Sequence, residues 1–474
     1  MNRLAGIVLT ALVLLALPPG SRHVLAGQNA GVHMPESADD TTLRLTVHPA
    51  AEPRPALKYQ LLPRFLDRTP GNAAVDYGKV AAEQSAVFGN DEWWEENWTK
   101  RMESPLAELR GEKLELPMIF ETLDRAARRE RCGWQVPIRE GNFYRVLLPE
   151  VQQVRAFARL LQLRARIQIA NGRFDEALYA LQTGYALAEH VGEGPTLIHG
   201  LVGISICVIM SDCVLQMTQQ PDTPNVYWAL TVLPRPLIGG RQGIEAEMNA
   251  VALTFPELRD VDRTERTPEE WSQALGDFWH KFVEFSDGPD MLGRPETLTA
   301  LTIKGYPKAK RDLIERGLPA AEVEAMPVPQ VILLHTSQTY RESCDDAYRW
   351  FYVPYWQGCD GMEQAESRLW QAKSQQREVL PVASTLIPAV RALQNAIARC
   401  DREIAGLRTI EALRMYAAAH DGRLPETLDE LTVPVPIDPV TGKPFVYHLQ
   451  EGAGVIEGPP MPGLVLRMEV KVAR

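Results

Sequence analysis

The sequence lacks the short signatures that would declare a chemistry. The six cysteines (Cys132, Cys207, Cys213, Cys344, Cys359 and Cys400) include no Cys-x-x-Cys pair. Neither a zinc ribbon nor a thioredoxin-type redox site is therefore indicated. The histidines beyond residue 26 are His33, His48, His190, His199, His280, His335, His420 and His448. None pairs at i,i+4 and no His-Glu-x-x-His occurs, which disfavours a zincin. Gly203-Ile204-Ser205-Ile206-Cys207 fails the Gly-x-Ser-x-Gly elbow at its last position. No P-loop and no Gly-x-Gly-x-x-Gly follows a strand. There is no basic block either, and the formal charge is −11. That balance argues against nucleic acid as a partner. Apolar runs of spanning length are also missing. Leu197 to Ser211 carries no charge but is shorter than the ~20 residues a bilayer needs, and it contains His199.

What is present begins with an export signal. Arg3 gives a positive start, Leu4 to Leu17 an apolar core, and Val24-Leu25-Ala26 a small-residue cleavage pattern. Removing residues 1–26 takes away Arg3 and Arg22 and leaves 48 basic against 61 acidic residues, a net −13. An exported chain with six cysteines permits disulfides. Cys344 and Cys359, flanking an aromatic segment, are the best candidate bridge, and the alternative is a set of buried free thiols. Cys207 and Cys213 lie nearly two turns apart on one helix and do not pair.

The organising stretch is 150–219. Val151, Val154, Ala158, Leu161 and Ala165 recur at helical spacing, Gly172 breaks the helix, and Phe174, Leu178, Leu181, Tyr185 and Ala188 repeat the pattern. Two helices so joined are antiparallel neighbours. A third, almost wholly apolar helix starts near Pro195 and is interrupted at Asp212. Its composition predicts a buried core helix, with Gly200, Gly203 and Ser205 admitting a close neighbour. Residues 150–190 resemble a single tetratricopeptide-type hairpin, with Ala165, Gly172, Phe174, Ala177, Leu181 and Gly184 near its packing positions. The marker aromatic and Leu-Gly are absent, and no second copy follows at the 34-residue period.

Elsewhere, 27–57 reads as a flexible leader rich in Pro and small polar residues. Asn72 caps a helix through Tyr77 and Val80, and Glu112 to Arg131 reads as another. Asn225 caps a helix from Tyr227, and Thr267-Pro268-Glu269-Glu270 starts one carrying Trp271, Leu275, Phe278, Trp279 and Phe282 on one face. Leu386, Val390, Leu393, Ile397, Cys400, Ile404 and Leu407 then mark a long helix with a narrow apolar seam, ending at His420-Asp421-Gly422. Strands follow at Phe445–Leu449, Val455–Ile456 and Leu464–Val472.

The fold class predicted is mainly α: a multi-helix, helical-hairpin domain over 58–375, then a long helix with a small α+β module and a short antiparallel sheet over 376–474. Tyr416 to Pro425 fits Tyr-x-x-x-x-x-Gly-x-x-Pro, and Asp438 to Tyr447 fits Asp-Pro-x-x-Gly-x-Pro-Phe-x-Tyr. On these motifs, about 380–460 resembles the soluble module of type II secretion pseudopilins, about a sixth of the chain. That resemblance implies the module's fold. Glu457-Gly458-Pro459-Pro460 stands where major pseudopilins bind calcium and is too poor in carboxylates for that ion. The whole chain also resembles a type of exported protein frequent in Planctomycetes, on Pro70 to Ala74, Asn225 to Leu230 and Pro434 to Pro439. This implies a compartment and no chemistry.

No residue stands out as catalytic, cofactor-binding or metal-ligating, and no cofactor is implied. Trp93, Trp94 and Trp98 among acids make either a sugar platform or a helix anchor. Glu189-His190 and His199 meet at a hairpin end as caps or core groups. The carboxylates of Glu245 and Glu247, and of Asp345 and Asp346, diverge along their helices, and Asp438 is a turn residue. The expectation is a non-catalytic exported envelope protein, a helical scaffold or interaction module whose partner is an envelope protein or polymer, with no membrane span left after signal cleavage. The alternative is an exported hydrolase, perhaps acting on carbohydrate.

Overall fold

A computed structural model describes residues 42–140, 143–285, 294–375, 378–387, 390–461 and 464–473. The signal at 1–26 and the first part of the expected leader, 27–41, lie outside them. The protein is mainly helical, with a small sheet region built near the C-terminus. The longer helices are α1 (Ala73–Glu83), α2 (Pro117–Ala127), α3 (Pro149–Ala170), α4 (Phe174–Gly192), α5 (Leu197–Thr218), α6 (Arg241–Thr254), α7 (Pro268–Phe285), α8 (Pro295–Glu315), α9 (Val328–Tyr348), α10 (Tyr355–Ser374) and α11 (Val390–Ala419). The main sheet holds β1 (Leu43–Val47), β2 (Val446–Gln450), β3 (Ala453–Met461) and β4 (Leu464–Val472).

The chain divides into two compact units that are not sequential. The larger holds described residues of 42–135, 148–243 and 395–473, and the smaller those of 136–147 and 244–394. The hairpin at 149–192 and the C-terminal strands thus share one unit, where the sequence reading placed its boundary at 375/376.

In the larger unit, α3 ends in a Schellman motif. Gly172 (φ +69°) donates its N–H to Ile169 O at 3.0 Å, and Arg173 donates to Gln168 O at 2.9 Å. That turn sends α4 back along α3, and α5 packs on both. The helix α5 is long and apolar enough to cross a membrane, yet most of it is buried. It starts one residue past Pro195, at the cap Thr196, and runs through Asp212 to Thr218. Val214 and Met217 lie beyond Asp212 and are fully buried, so packing carries the helix on. Gly203 is where α4 and α5 meet. A Cβ there would lie 2.7 Å from Ala188 O and 2.8 Å from Gly192 N, both backbone atoms. Gly203→Ala is expected to cost about 1–3 kcal/mol by overpacking, read as a lower urea midpoint. Gly276, inside α7 with nothing within 4 Å of its would-be Cβ, is the control. Gly276→Ala should stabilise by about 0.5–1 kcal/mol.

The sheet order is β1-β4-β3-β2. The β2–β3–β4 meander is antiparallel, but β1 pairs parallel with β4, Leu43 opposite Met468 and Val47 opposite Val472. The sheet is thus mixed, and part of the supposed leader is its edge strand. Leu45 and Val47 are buried in a core with Ile410 and Leu413 of α11, Ile456 of β3, and Met468 and Val470 of β4. Each such side chain contributes about 1.5–3 kcal/mol by burial. Beyond β1, His48 N donates to Thr218 O (3.2 Å) and Ala50 N to Arg414 O (3.2 Å). The leader reading failed because its alternation is only five residues long and its partner strand is over 400 residues away.

The expected helix 112–131 is shorter, starting at Pro117. Arg129–Arg131 instead pairs parallel with Thr69–Asn72, and Asn72 Oδ1 accepts from both Ala74 N and Gly133 N. In the smaller unit, the described residues form helices joined by turns and loops, with no strand. Thr267 and Glu270 cap α7 reciprocally, at 2.8 and 3.2 Å. Trp271, Leu275, Phe278, Trp279 and Phe282 are all buried, as their spacing predicts.

Candidate functional site

An open depression of about 480 Å³ lies in the smaller unit. Met248 of α6 lines it, with Glu342, Asp345 and Asp346 of α9, and Arg349 and Tyr352 of the following turn. Residues 342, 345, 346 and 349 are spaced three, four and seven apart, so one helical face carries three acids and a base. Two of the acids are charge-compensated. Asp346 Oδ1 accepts from Arg349 Nη2 (2.6 Å), and its Oδ2 accepts from Arg368 Nε (2.8 Å) and Nη2 (2.5 Å). Glu342 pairs with Arg316 at 2.8 Å. Asp345 and Asp346 line one depression although their side chains point differently.

Beside Met248 stands Glu247. The residue is only partly covered, but packing around its carboxyl raises it to about 7. Its charge is felt by Tyr144, Tyr348 and Cys344, whose own protons are held by burial first; Cys344 is pushed up to about 12. Tyr340 OH donates to Glu247 O at 3.4 Å. Glu245, two residues away, is exposed. The divergence expected of this pair is what sets one acid in the packing and the other in water.

The larger unit does bring Glu189-His190 and His199 together, through Trp134. The Trp134 indole donates to His190 O (2.8 Å), stacks on Tyr77 with centroids 5.9 Å apart, and tilts against His199 at 6.3 Å. Tyr77 OH bonds His190 Nδ1 at 3.0 Å, and Thr196 Oγ1 bonds His199 Nδ1 at 2.8 Å. His199 Nε2 stands 3.3 Å from Glu150 Oε1. Burial, then Arg68, pushes His190 down to about 4, so it is neutral at pH 7. Burial also raises Glu189, Glu193 and Cys132, the last to about 12. These contacts join Tyr77, Trp134, His190, Thr196 and His199 in one network. Trp134 links them, and nothing in its sequence surroundings marks that role.

The three tryptophans form an anchor. Trp93/Trp94 and Trp94/Trp98 pack edge to face at 5.4 and 6.4 Å, and Trp98 Nε1 donates to Arg159 O of α3 at 3.1 Å. Asp438 is a turn residue as expected, its Oδ1 accepting from Val440 N at 2.9 Å, but Oδ2 also accepts from Arg402 Nη2 at 2.9 Å. Glu457 pairs with Arg467, and Pro459 O accepts from Arg402 at 2.7 Å. Cys344 and Cys359 are not bridged. None of the six cysteines is bridged in this structure; Cys344 bonds Tyr340 and Cys359 bonds Asp360. The two belong to different helices, α9 and α10, each with its own polar neighbour.

Sequence reasoning also passed over a cluster of perturbed acids on α11. Burial raises Asp401 to about 7, against Leu237 N–H and Arg235, which oppose the shift. Glu403 rises to about 8 through burial and the Asp212 charge of α5, with Arg399 opposing. Both acids hold a proton in the folded state that the unfolded chain has lost by pH ~5. Their contribution is full below about pH 4 and disappears as pH rises through 7 and 8. The melting temperature should therefore fall from pH 5 to pH 9 by roughly 5 °C, and Glu403→Gln should flatten that slope.

Among the described residues, no group of three or more His, Cys, Asp or Glu side chains is placed to hold a metal ion. Comparisons with protein-family models, curated proteins and solved structures found no match to this chain.

Proposed function

We propose that the protein is a non-catalytic exported envelope protein, a helical scaffold or interaction module. The observation that carries this reading is the state of the depression on α9: it is open, and Arg316, Arg349 and Arg368 take up the charge of two of its three acids. A catalytic pair of carboxylates needs one acid that can donate a proton and another left free as base or nucleophile, neither committed to a neighbouring guanidinium. Export rests on Arg3, Leu4–Leu17 and Val24-Leu25-Ala26. We also propose a pseudopilin-like arrangement for 380–460. It is supported by the core that Ala405, Ile410 and Leu413 of α11 form with the meander, and by the Asp438 turn, whose carbonyl accepts from Thr441 N and Gly442 N. The added parallel strand β1 departs from that pattern. The tetratricopeptide-type reading of 150–190 is supported by the α3–α4 hairpin and its Gly172 turn.

The test has two arms. The full chain is expressed with its signal, fractionated, and its N-terminus sequenced, with Gly27 expected first. The mature protein is then cross-linked in its own envelope fraction. A discrete partner protein or polymer that survives washing and is competed by untagged protein is expected. Cytosolic retention, or no partner at all, overturns the reading.

The alternative, an exported hydrolase perhaps acting on carbohydrate, is favoured by Glu247 alone, a carboxyl held near 7 beside a depression that also holds Asp345. Turnover of a panel of polysaccharides and aryl glycosides between pH 5 and 8, lost in Glu247→Gln, would establish it. No turnover retires it.

A further inference from the structure

Cys207 of α5 and Cys400 of α11 face each other in the core of the larger unit, with sulfur atoms 3.1 Å apart. Cys207 is fully buried and Cys400 is 3% exposed. The sulfur separation is about 1 Å beyond the ~2.05 Å of a disulfide. The other four thiols have other neighbours: Cys132 the Ala74 backbone, Cys213 the Arg166 charge, Cys344 Tyr340, and Cys359 Asp360. We propose that Cys207 and Cys400 form a disulfide that staples the central helix α5 to the long C-terminal helix α11.

The oxidant is a dithiol–disulfide oxidoreductase or a small-molecule disulfide such as oxidised glutathione, RSSR. One cysteine thiolate attacks RSSR, forming a mixed disulfide and releasing RS⁻. The second thiolate attacks the first cysteine's sulfur and releases the second RS⁻. Two electrons pass from the cysteines to the oxidant, and the two cysteine protons end on two RSH. The neighbouring Cys207 thiol and burial raise Cys400 well above its usual range, so the folded protein offers little thiolate there. Oxidation therefore belongs to the folding stage, before α5 and α11 close on each other. Once made, the bond is shielded from reductants. It closes a loop whose ends are 193 positions apart, the class of loop for which cross-linking constrains the unfolded chain most.

The proposal rests on the export reading for its oxidant, and the experiment separates the two. Full-length protein is recovered from an oxidising compartment, and also refolded in a glutathione redox buffer after production in a reducing cytosol. Both samples are denatured, alkylated and digested for mass spectrometry. The expected result is one cross-linked peptide pair carrying Cys207 and Cys400, two hydrogens lighter than the reduced pair, with the other four cysteines alkylated. Protein reduced by dithiothreitol in urea and refolded under reducing conditions should melt roughly 5–10 °C below the oxidised protein, a difference that should vanish in Cys400→Ser. The bond forming in redox buffer from a chain that is never exported supports the disulfide and sinks the export reading. An exported, folded chain with all six cysteines alkylated, or with a different pair bridged, overturns the disulfide. These readouts use the native sequence and so hold even if Cys400→Ser fails to fold.

Discussion

Arg414→Met should destabilise the larger unit by about 3–5 kcal/mol. Arg414 and Glu411 are both wholly buried and paired at 2.6 Å. The guanidinium also donates from Nε to His48 O (2.7 Å) and from Nη2 to Thr223 O (3.2 Å) and Thr223 Oγ1. Glu411 Oε2 in turn accepts from Val226 N at 3.0 Å, and Asn225 Nδ2 donates to Glu411 O at 2.8 Å. One side chain therefore ties the exit of β1, the connection after α5, and α11. Removing it strands a buried carboxylate that burial already raises, and takes the guanidinium from His48 O, Pro224 O, Thr223 O and Thr223 Oγ1. Urea denaturation should show a lower midpoint with an unchanged slope. Arg414→Lys should recover only part of the loss, because an ammonium cannot reproduce the planar fork. Combining Glu411→Leu with Arg414→Met should recover more, since the cost lies in the uncompensated charge. Equal losses in the single and double variants would refute this account.

Arg402→Met should cost a similar ~3–5 kcal/mol, but with a different local signature. Arg402 is fully buried and Asp438 is 1% exposed. The pair is 2.9 Å apart, and Arg402 Nη1 also holds Pro459 O of β3 at 2.7 Å. The variant leaves Asp438 with its Val440 turn bond but no counter-charge. Hydrogen exchange should accelerate first in β3, where Pro459 lies, and around 438–442. Asp438→Asn should show the same pattern, because it leaves the guanidinium buried without its carboxylate. Gly458→Ala probes the same network sterically, since a Cβ there would lie 1.9 Å from Arg402 Nη2. Uniform loss of protection across the α3–α4 hairpin, with β3 unaffected, would contradict this assignment.

These two arginines also show what sequence reading missed. The apolar seam of α11, through Leu393, Cys400, Ile404 and Leu407, is legible at steps of three and four. Arg402 lies off that seam, where a charged residue reads as solvent-facing, whereas Glu411 and Arg414 stand on its next steps of four and three. They are buried because chain from 223–226, 438 and 459 covers them, and helical periodicity carries no record of distant cover. The acids of the depression show the converse. The spacing of Glu342, Asp345, Asp346 and Arg349 was open to view on α9, but only the fold put Met248 opposite and Arg316 and Arg368 around them.

The sequence by itself determined the local structure: the α3–α4 hairpin turn at Gly172, the burial of α5, the aromatic face of α7, the Asn72 cap, and the bounds of β4 at Leu464–Val472. Each follows from interactions within a few residues, where side-chain period, caps and glycine conformations act directly. Tertiary structure decided the non-sequential division into two units, the parallel pairing of β1 with β4, the buried ion pairs, and the choice of Cys400 as the neighbour of Cys207. β1 and β4 are over 400 positions apart and Cys207 and Cys400 are 193 apart, and the ion pairs are buried only by chain that packing brings from elsewhere in the sequence.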